Sequence, residues 1–292
     1  MSIHHIVLKY RLHILFSVLG FTLLFLNHSN NNNNNVAISS SDKLLPTQTA
    51  LRNVKEPIDT ETDRAIFWHI PKSGGTTLKW YYGCLGLVIA NEVSVSNGHD
   101  TDESLQVWEH ANGFKYVNAD TTGLNGIDRA KSLGLGESGL ADVMFTMFPH
   151  QISELLFPSG SKYKGRFFTM IRHPIERSAS MFYYRRVAKH ENENVYLPHL
   201  KNIDLATYLK RGGGDRNFMV SLLVNKLGGQ VLTVEDLNTA KDMLRTKFLV
   251  GLTSKFEESV ERFDHYFGYD RNGISTECKE SLYPGKNRYG IP

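Results

Sequence analysis

Between residues 64 and 269 the chain alternates short apolar runs with stretches whose apolar positions recur at helical spacing. The apolar runs at 66–70, 86–90, 142–147, 166–172 and 248–252 are rich in β-branched and aromatic residues. They have the length and composition of strands buried on both faces. Periodic stretches at 151–156, 175 to about 189, 204–210, 217–227, 234–244 and 254–266 predict helices, and another helix opens around Leu78. Strands separated by helices imply an α/β fold, with a mainly parallel sheet covered by helices on both faces in a single globular domain. Residues 91–139 are polar, glycine-rich and weakly periodic, so loops and short helices are expected to wrap over the ligand site there.

The N-terminal pattern differs. Residues 12–26 are almost continuously apolar and follow Lys9 and Arg11. A basic flank before an apolar run places the N-terminal side in the cytoplasm. The segment reads as 1–11 cytoplasmic tail and 12–26 uncleaved signal-anchor, with a cleaved signal peptide as the alternative. Its shortness suits the thinner membranes of the early secretory pathway. Residues 27–63 contain an asparagine run from Asn30 to Asn35 and no period able to bury a face, which predicts a flexible stem. The globular domain then occupies 64–292.

Composition narrows the picture modestly. At 292 residues and 41% hydrophobic the chain can pack a sizeable core. A net charge of +3 is too small to argue for nucleic acid on its own, though a sequence pI near 8.7 suits an anionic ligand. The two cysteines, Cys84 and Cys278, lack the spacing of a metal knuckle, and their pairing is left open. No metal motif is present in the sequence, and none is expected to be required.

Two stretches carry the chemistry. In AIFWHIPKSGGTTL, residues 65–78, an apolar strand meets Pro71 and then a Lys72-Ser73-Gly74-Gly75 turn before Thr76 and Thr77 open a helix. Strand, glycine turn and helix N-terminus converge free N–H groups and the positive end of a helix dipole on one point, a cradle for phosphate or sulfate. It is not the nucleoside-triphosphate loop GxxxxGK[ST], because the lysine precedes the glycines. In IRHPIERSASMFYY, residues 171–184, Arg172 leaves a strand end and Ser180 lies about two helical turns later, so the pair can flank a second anion. Arg177, Arg185 and Arg186 add positive charge nearby.

In this order and spacing the two motifs resemble those of sulfotransferases, and most closely the membrane-anchored carbohydrate group that includes the heparan sulfate 2-O- and 6-O-sulfotransferases. Residues 248–263 also resemble a late segment of that group. The resemblance implies a P-loop-like α/β fold and a luminal, Golgi-type, single-pass type II protein. It also implies transfer of a sulfuryl group from 3′-phosphoadenosine 5′-phosphosulfate to a hydroxyl or amine of a glycan. Lys72, Ser73, Gly74, Gly75, Thr76 and Thr77 then match the loop around the 5′ end of the donor, with Lys72 also catalytic at the bridging oxygen. Arg172 and Ser180 match the pair on the 3′-phosphate. Where the family often carries a histidine before the second motif, this chain has Met147, and His150 lies three residues on. His150 is therefore the expected general base, at a strand end pointing into the ligand crevice. Glu154, His110 or another group from 91–139 is the fallback. A nucleotide-dependent kinase of the same fold and a glycan-binding relative without catalysis are the alternatives.

Overall fold

The computed structural model describes residues 52–214, 217–269 and 274–282, which fall in one unit of the chain. The expected tail, signal-anchor and nearly all of the stem lie outside the described residues. Among the described residues no helix is long and apolar enough to cross a membrane. In order come β1 (Asp63–Trp68), α1 (Gly75–Cys84), β2 (Val88–Ala90), a 3-10 segment (Glu92–Thr101), β3 (Val107–Glu109), β4 (Lys115–Val117), α2 (Leu124–Ser132), α3 (Leu135–Ser138) and β5 (Val143–Thr146). Then follow α4 (Pro149–Leu156), β6 (Lys164–Ile171), α5 (Pro174–Val187), α6 (Leu205–Lys210), α7 (Phe218–Leu223), α8 (Val234–Lys247), β7 (Phe248–Leu252), α9 (Phe256–Phe267) and α10 (Ile274–Leu282).

The seven strands form one sheet in the order β3-β4-β2-β5-β1-β6-β7. Only β3 pairs antiparallel, with β4; every other neighbouring pair is parallel. The α/β architecture is therefore the one the alternating pattern predicts. β1 is central, and successive side chains feed opposite cores. Ile66 and Trp68 join a cluster with residues of α2, α4, α7 and α8, among them Ile127, Ile152, Leu223 and Met243. Ala65 and Phe67 join the other with Leu78 and Tyr82 of α1 and Phe263 of α9. Each fully buried aromatic of this kind contributes roughly 2–3 kcal/mol from the apolar area it removes from water.

The topology locates the crevice. From β1 the chain crosses through α1 to β2 on one side, and β6 and β7 lie on the other. The direction of winding thus reverses beside β1, and in open α/β sheets ligands bind at the carboxyl ends of the strands flanking such a reversal.

Several predicted boundaries move. β1 begins at Asp63 and ends at Trp68, so His69 is just beyond the strand rather than inside it. α7 stops at Leu223, before the 227 expected, with Asn225 at a positive φ of 55°. The β3–β4 hairpin gave no sequence signal because its strands are three residues each and Val107 and Glu109 face solvent. α2 was hidden by Gly126, where a Cβ would lie 2.5 Å from the carbonyl oxygen of Asp120, so the close packing needs the residue that weakens helical propensity. The pairing left open by spacing is closed: Cys84 at the end of α1 is disulfide-bonded to Cys278 of α10, with 5.8 Å between the Cα atoms.

Candidate functional site

The loop after β1 is held in an unusual backbone. Lys72 has φ of 66° and Gly74 φ of 87°, both left-handed. A non-glycine residue there costs about 1–2 kcal/mol, and such strain persists only where surrounding contacts enforce it. Those contacts come from the start of α5. Arg172 Nη1 donates to the carbonyl of Lys72 at 3.4 Å, and Arg177 Nη1 to that of Pro71 at 3.3 Å. Arg177 is 6% exposed and lies 5.9 Å from the centre of the Phe218 ring, so the arginine that read as surface charge is a clamp.

The helix that follows starts without a side-chain cap. Gly74 is the N-cap of α1, no side chain caps it, and its first turn has no acidic residue. The Ser73 side chain is buried, and its Oγ has no hydrogen-bond partner. A buried hydroxyl without a partner costs about 1–3 kcal/mol unless a ligand satisfies it. Thr76 is exposed and Thr77 half-buried. Ser180, two turns into α5, is also half-buried.

The electrostatics agree with this placement. Burial pushes the Lys72 ammonium below its usual pKa, the nearby Arg172 charge pushes it further, and Glu191 partly restores it. The ammonium lies 4.0 Å over the ring of Tyr184 in α5. Arg172 also meets Glu176 at 3.5 Å, with both side chains partly exposed, so this pair is weak and easily exchanged for a ligand. The Arg172 charge adds to the cost of charging Lys72, and an anion beside the two would relieve it.

His150 is not in this crevice. It lies on α4, 1% exposed, and donates Nε2–H to the carbonyl of Leu223 at 2.7 Å, which ties α4 to the end of α7. Burial lowers its pKa, and the Nδ1 atom is enclosed without a partner. An imidazole so enclosed meets no acceptor hydroxyl, which corrects the expectation that the turn after β5 aims it at the ligand. The helix begins at Pro149, and the first turn rotates the side chain toward the core.

The opposite side of the loop draws on three places: His69 just after β1, Lys79 in α1 and, from the interval expected to be loops, Glu92. The ring of His69 lies against Gly75, where a Cβ would sit 2.2 Å from it. Lys79, one turn further along α1, is ion-paired with Glu92, the residue two beyond the end of β2. The available signal for Glu92 was its place after a short apolar run, the same relation Lys72 bears to β1.

The carboxyl edge of the sheet thus brings Lys72, Ser73 and Arg172 together after β1 and β6, with His69, Lys79 and Glu92 beside α1 and the turn after β2. No protein-family model and no curated protein matches the chain.

Proposed function

We propose that this protein is a sulfotransferase that moves the sulfuryl group of 3′-phosphoadenosine 5′-phosphosulfate to a hydroxyl or amine of a glycan. The observation that carries this reading is the meeting of Lys72 and Arg172 beside the uncapped start of α1. Two cationic loops from adjacent parallel strands suit a ligand with an anionic group at each end. The buried Ser73 Oγ and the glycine N-cap fit such a ligand, since each offers a donor that the fold leaves unsatisfied.

In this reading the donor supplies an activated sulfuryl group on a nucleotide leaving group. The loop at 73–77 holds the 5′ end and Arg172, with Ser180, the 3′-phosphate. Lys72 neutralises the charge that develops on the leaving oxygen, and the loop amides and Thr76 share that work. As in phosphoryl transfer, most of the acceleration comes from positioning and charge stabilisation. The P-loop-like fold, the luminal Golgi site and membrane attachment through residues 12–26 complete the proposal.

Calorimetry tests it. The full chain should bind 3′-phosphoadenosine 5′-phosphate without magnesium and more tightly than ATP. Stronger, magnesium-dependent binding of ATP would instead select a kinase. Nucleotide binding with no labelling of any glycan from radiolabelled donor would select a binding protein.

A further inference from the structure

The group of His69, Lys79 and Glu92 has no role in the reading above. β2 and β1 both run parallel to β5, which separates them, so the turn after β2 opens on the same edge as the Lys72 loop. That turn is rigid. Asn91 accepts the N–H of Val93 at 2.7 Å, and Ser94 Oγ accepts the N–H of Asn91 at 2.9 Å. Trp108 Nε1–H donates to the carbonyl of Ser94 at 2.9 Å. Glu92 is the first residue of the 3-10 segment this box initiates, so its backbone is fixed from both sides.

The side chains are arranged unequally. The Lys79 side chain is 13% exposed and that of Glu92 48%, so an enclosed ammonium holds a carboxylate that keeps about half its surface open. The geometry points to Glu92 as the general base that takes the proton of the acceptor hydroxyl. This inference rests on the transferase reading.

The chemistry balances. The acceptor O–H breaks, its proton goes to a Glu92 carboxylate oxygen, and the acceptor oxygen forms a bond to the donor sulfur. The bond from sulfur to the bridging oxygen breaks, and its electron pair stays on the nucleotide 5′-phosphate beside Lys72. Glu92 returns the proton to solvent through its exposed face.

His69 is the nearest rival, but its ring is packed against Gly75 whereas the Glu92 side chain keeps about half its surface open. Burial and then the Lys79 charge push the His69 imidazole down to about 4, so it is no stronger a base than a carboxylate. For Glu92 itself, burial opposes ionisation, but the charge and hydrogen bond of Lys79 outweigh it and hold the carboxyl below its usual range. The groups facing it are Lys79 from α1, His69 from just after β1 and Tyr116 from β4, whose phenol is pushed up by burial and by the Glu92 charge. Glu92 is thus ionised and ready to accept at neutral pH.

The test uses the full chain, radiolabelled donor and a pooled panel of chemically desulfated heparin, chondroitin and dermatan. Glu92→Gln should lower labelling at least about a hundredfold, while calorimetry shows affinity for 3′-phosphoadenosine 5′-phosphate within about threefold of the parent. Lys79→Met should shift the acid limb of the rate profile to higher pH, since the carboxyl loses its cation. Near-normal labelling by Glu92→Gln, an unmoved acid limb in Lys79→Met, or lost nucleotide affinity in Glu92→Gln would each overturn the assignment while the donor reading stands. No nucleotide binding and no labelling by the parent would sink the transferase reading beneath it.

Discussion

Gly74→Ala isolates how tightly the loop after β1 is built. The residue has φ of 87°, and an added Cβ would lie 2.8 Å from Cε2 of Phe256 and 3.5 Å from its Cδ2. Two separate penalties follow. Placing an L side chain in the left-handed region costs about 1–2 kcal/mol, of which about 0.4–1 is returned because alanine has less freedom to lose from the unfolded chain. Crowding a packed ring adds about 1–3 kcal/mol. The sum is about 1–4.5 kcal/mol, and for a domain of this size each kcal/mol lowers Tm by about 2–4 °C. Gly86→Ala is the control, because φ there is 74° and a Cβ meets nothing within 4 Å. It should pay the backbone cost alone, about 0–1.6 kcal/mol by the same subtraction, so the crowding of about 1–3 kcal/mol separates the two variants. Urea denaturation of both variants gives the difference directly, and Phe256→Leu in the Gly74→Ala background should recover part of it. Calorimetry with 3′-phosphoadenosine 5′-phosphate should show weakened binding for Gly74→Ala and unchanged binding for Gly86→Ala. Equal destabilisation of the two variants would refute the argument, since it would mean that Phe256 does not brace the loop.

Arg172→Ala should mainly weaken nucleotide affinity, by about 1.5–3 kcal/mol for a lost charged hydrogen bond, whereas Lys72→Ala should mainly slow turnover; intact turnover in Lys72→Ala would refute its assigned role. Acid should destabilise the fold through its histidines. His69 is held down to about 4 from 6.5 and His150 is lowered in the same direction, both chiefly by burial, so the native state binds fewer protons than the unfolded chain below pH 6.5. Their contribution is complete above 6.5 and is lost as pH falls toward 4; a urea midpoint that does not fall across that window, or falls equally when both histidines are replaced, would contradict the assignment. Replacing Cys84 and Cys278 together by serine should cost about 4–5 kcal/mol on loop-length grounds, because the bond closes a long stretch of chain. Partial proteolysis should then cut near α10, and an uncut chain of unchanged stability would count against the link.

The sequence by itself determined the layered sheet and the strand–glycine–helix turn that follows its central strand. Apolar runs such as 166–172 are buried on both faces whatever packs on them, so their composition announces them, and a strand–glycine–helix junction fixes its own amides locally. Arg172 was legible for the same reason, as the first residue after a strand whose end the apolar run marks. Only the tertiary structure decided what depends on which element lands against which. His150 stood where a strand end meets a ligand crevice in the sequence, yet α7 packs over it and takes its Nε2–H with the carbonyl of Leu223. Arg177 became a clamp on the carbonyl of Pro71 because α5 starts beside the β1 loop. Glu92, Lys79 and His69 are separated along the chain by connections that carry no period, and they meet because β2 and β1 share a carboxyl edge. Periodicity records how much of each residue is buried, and not by which neighbour; these three side chains are defined by their neighbours.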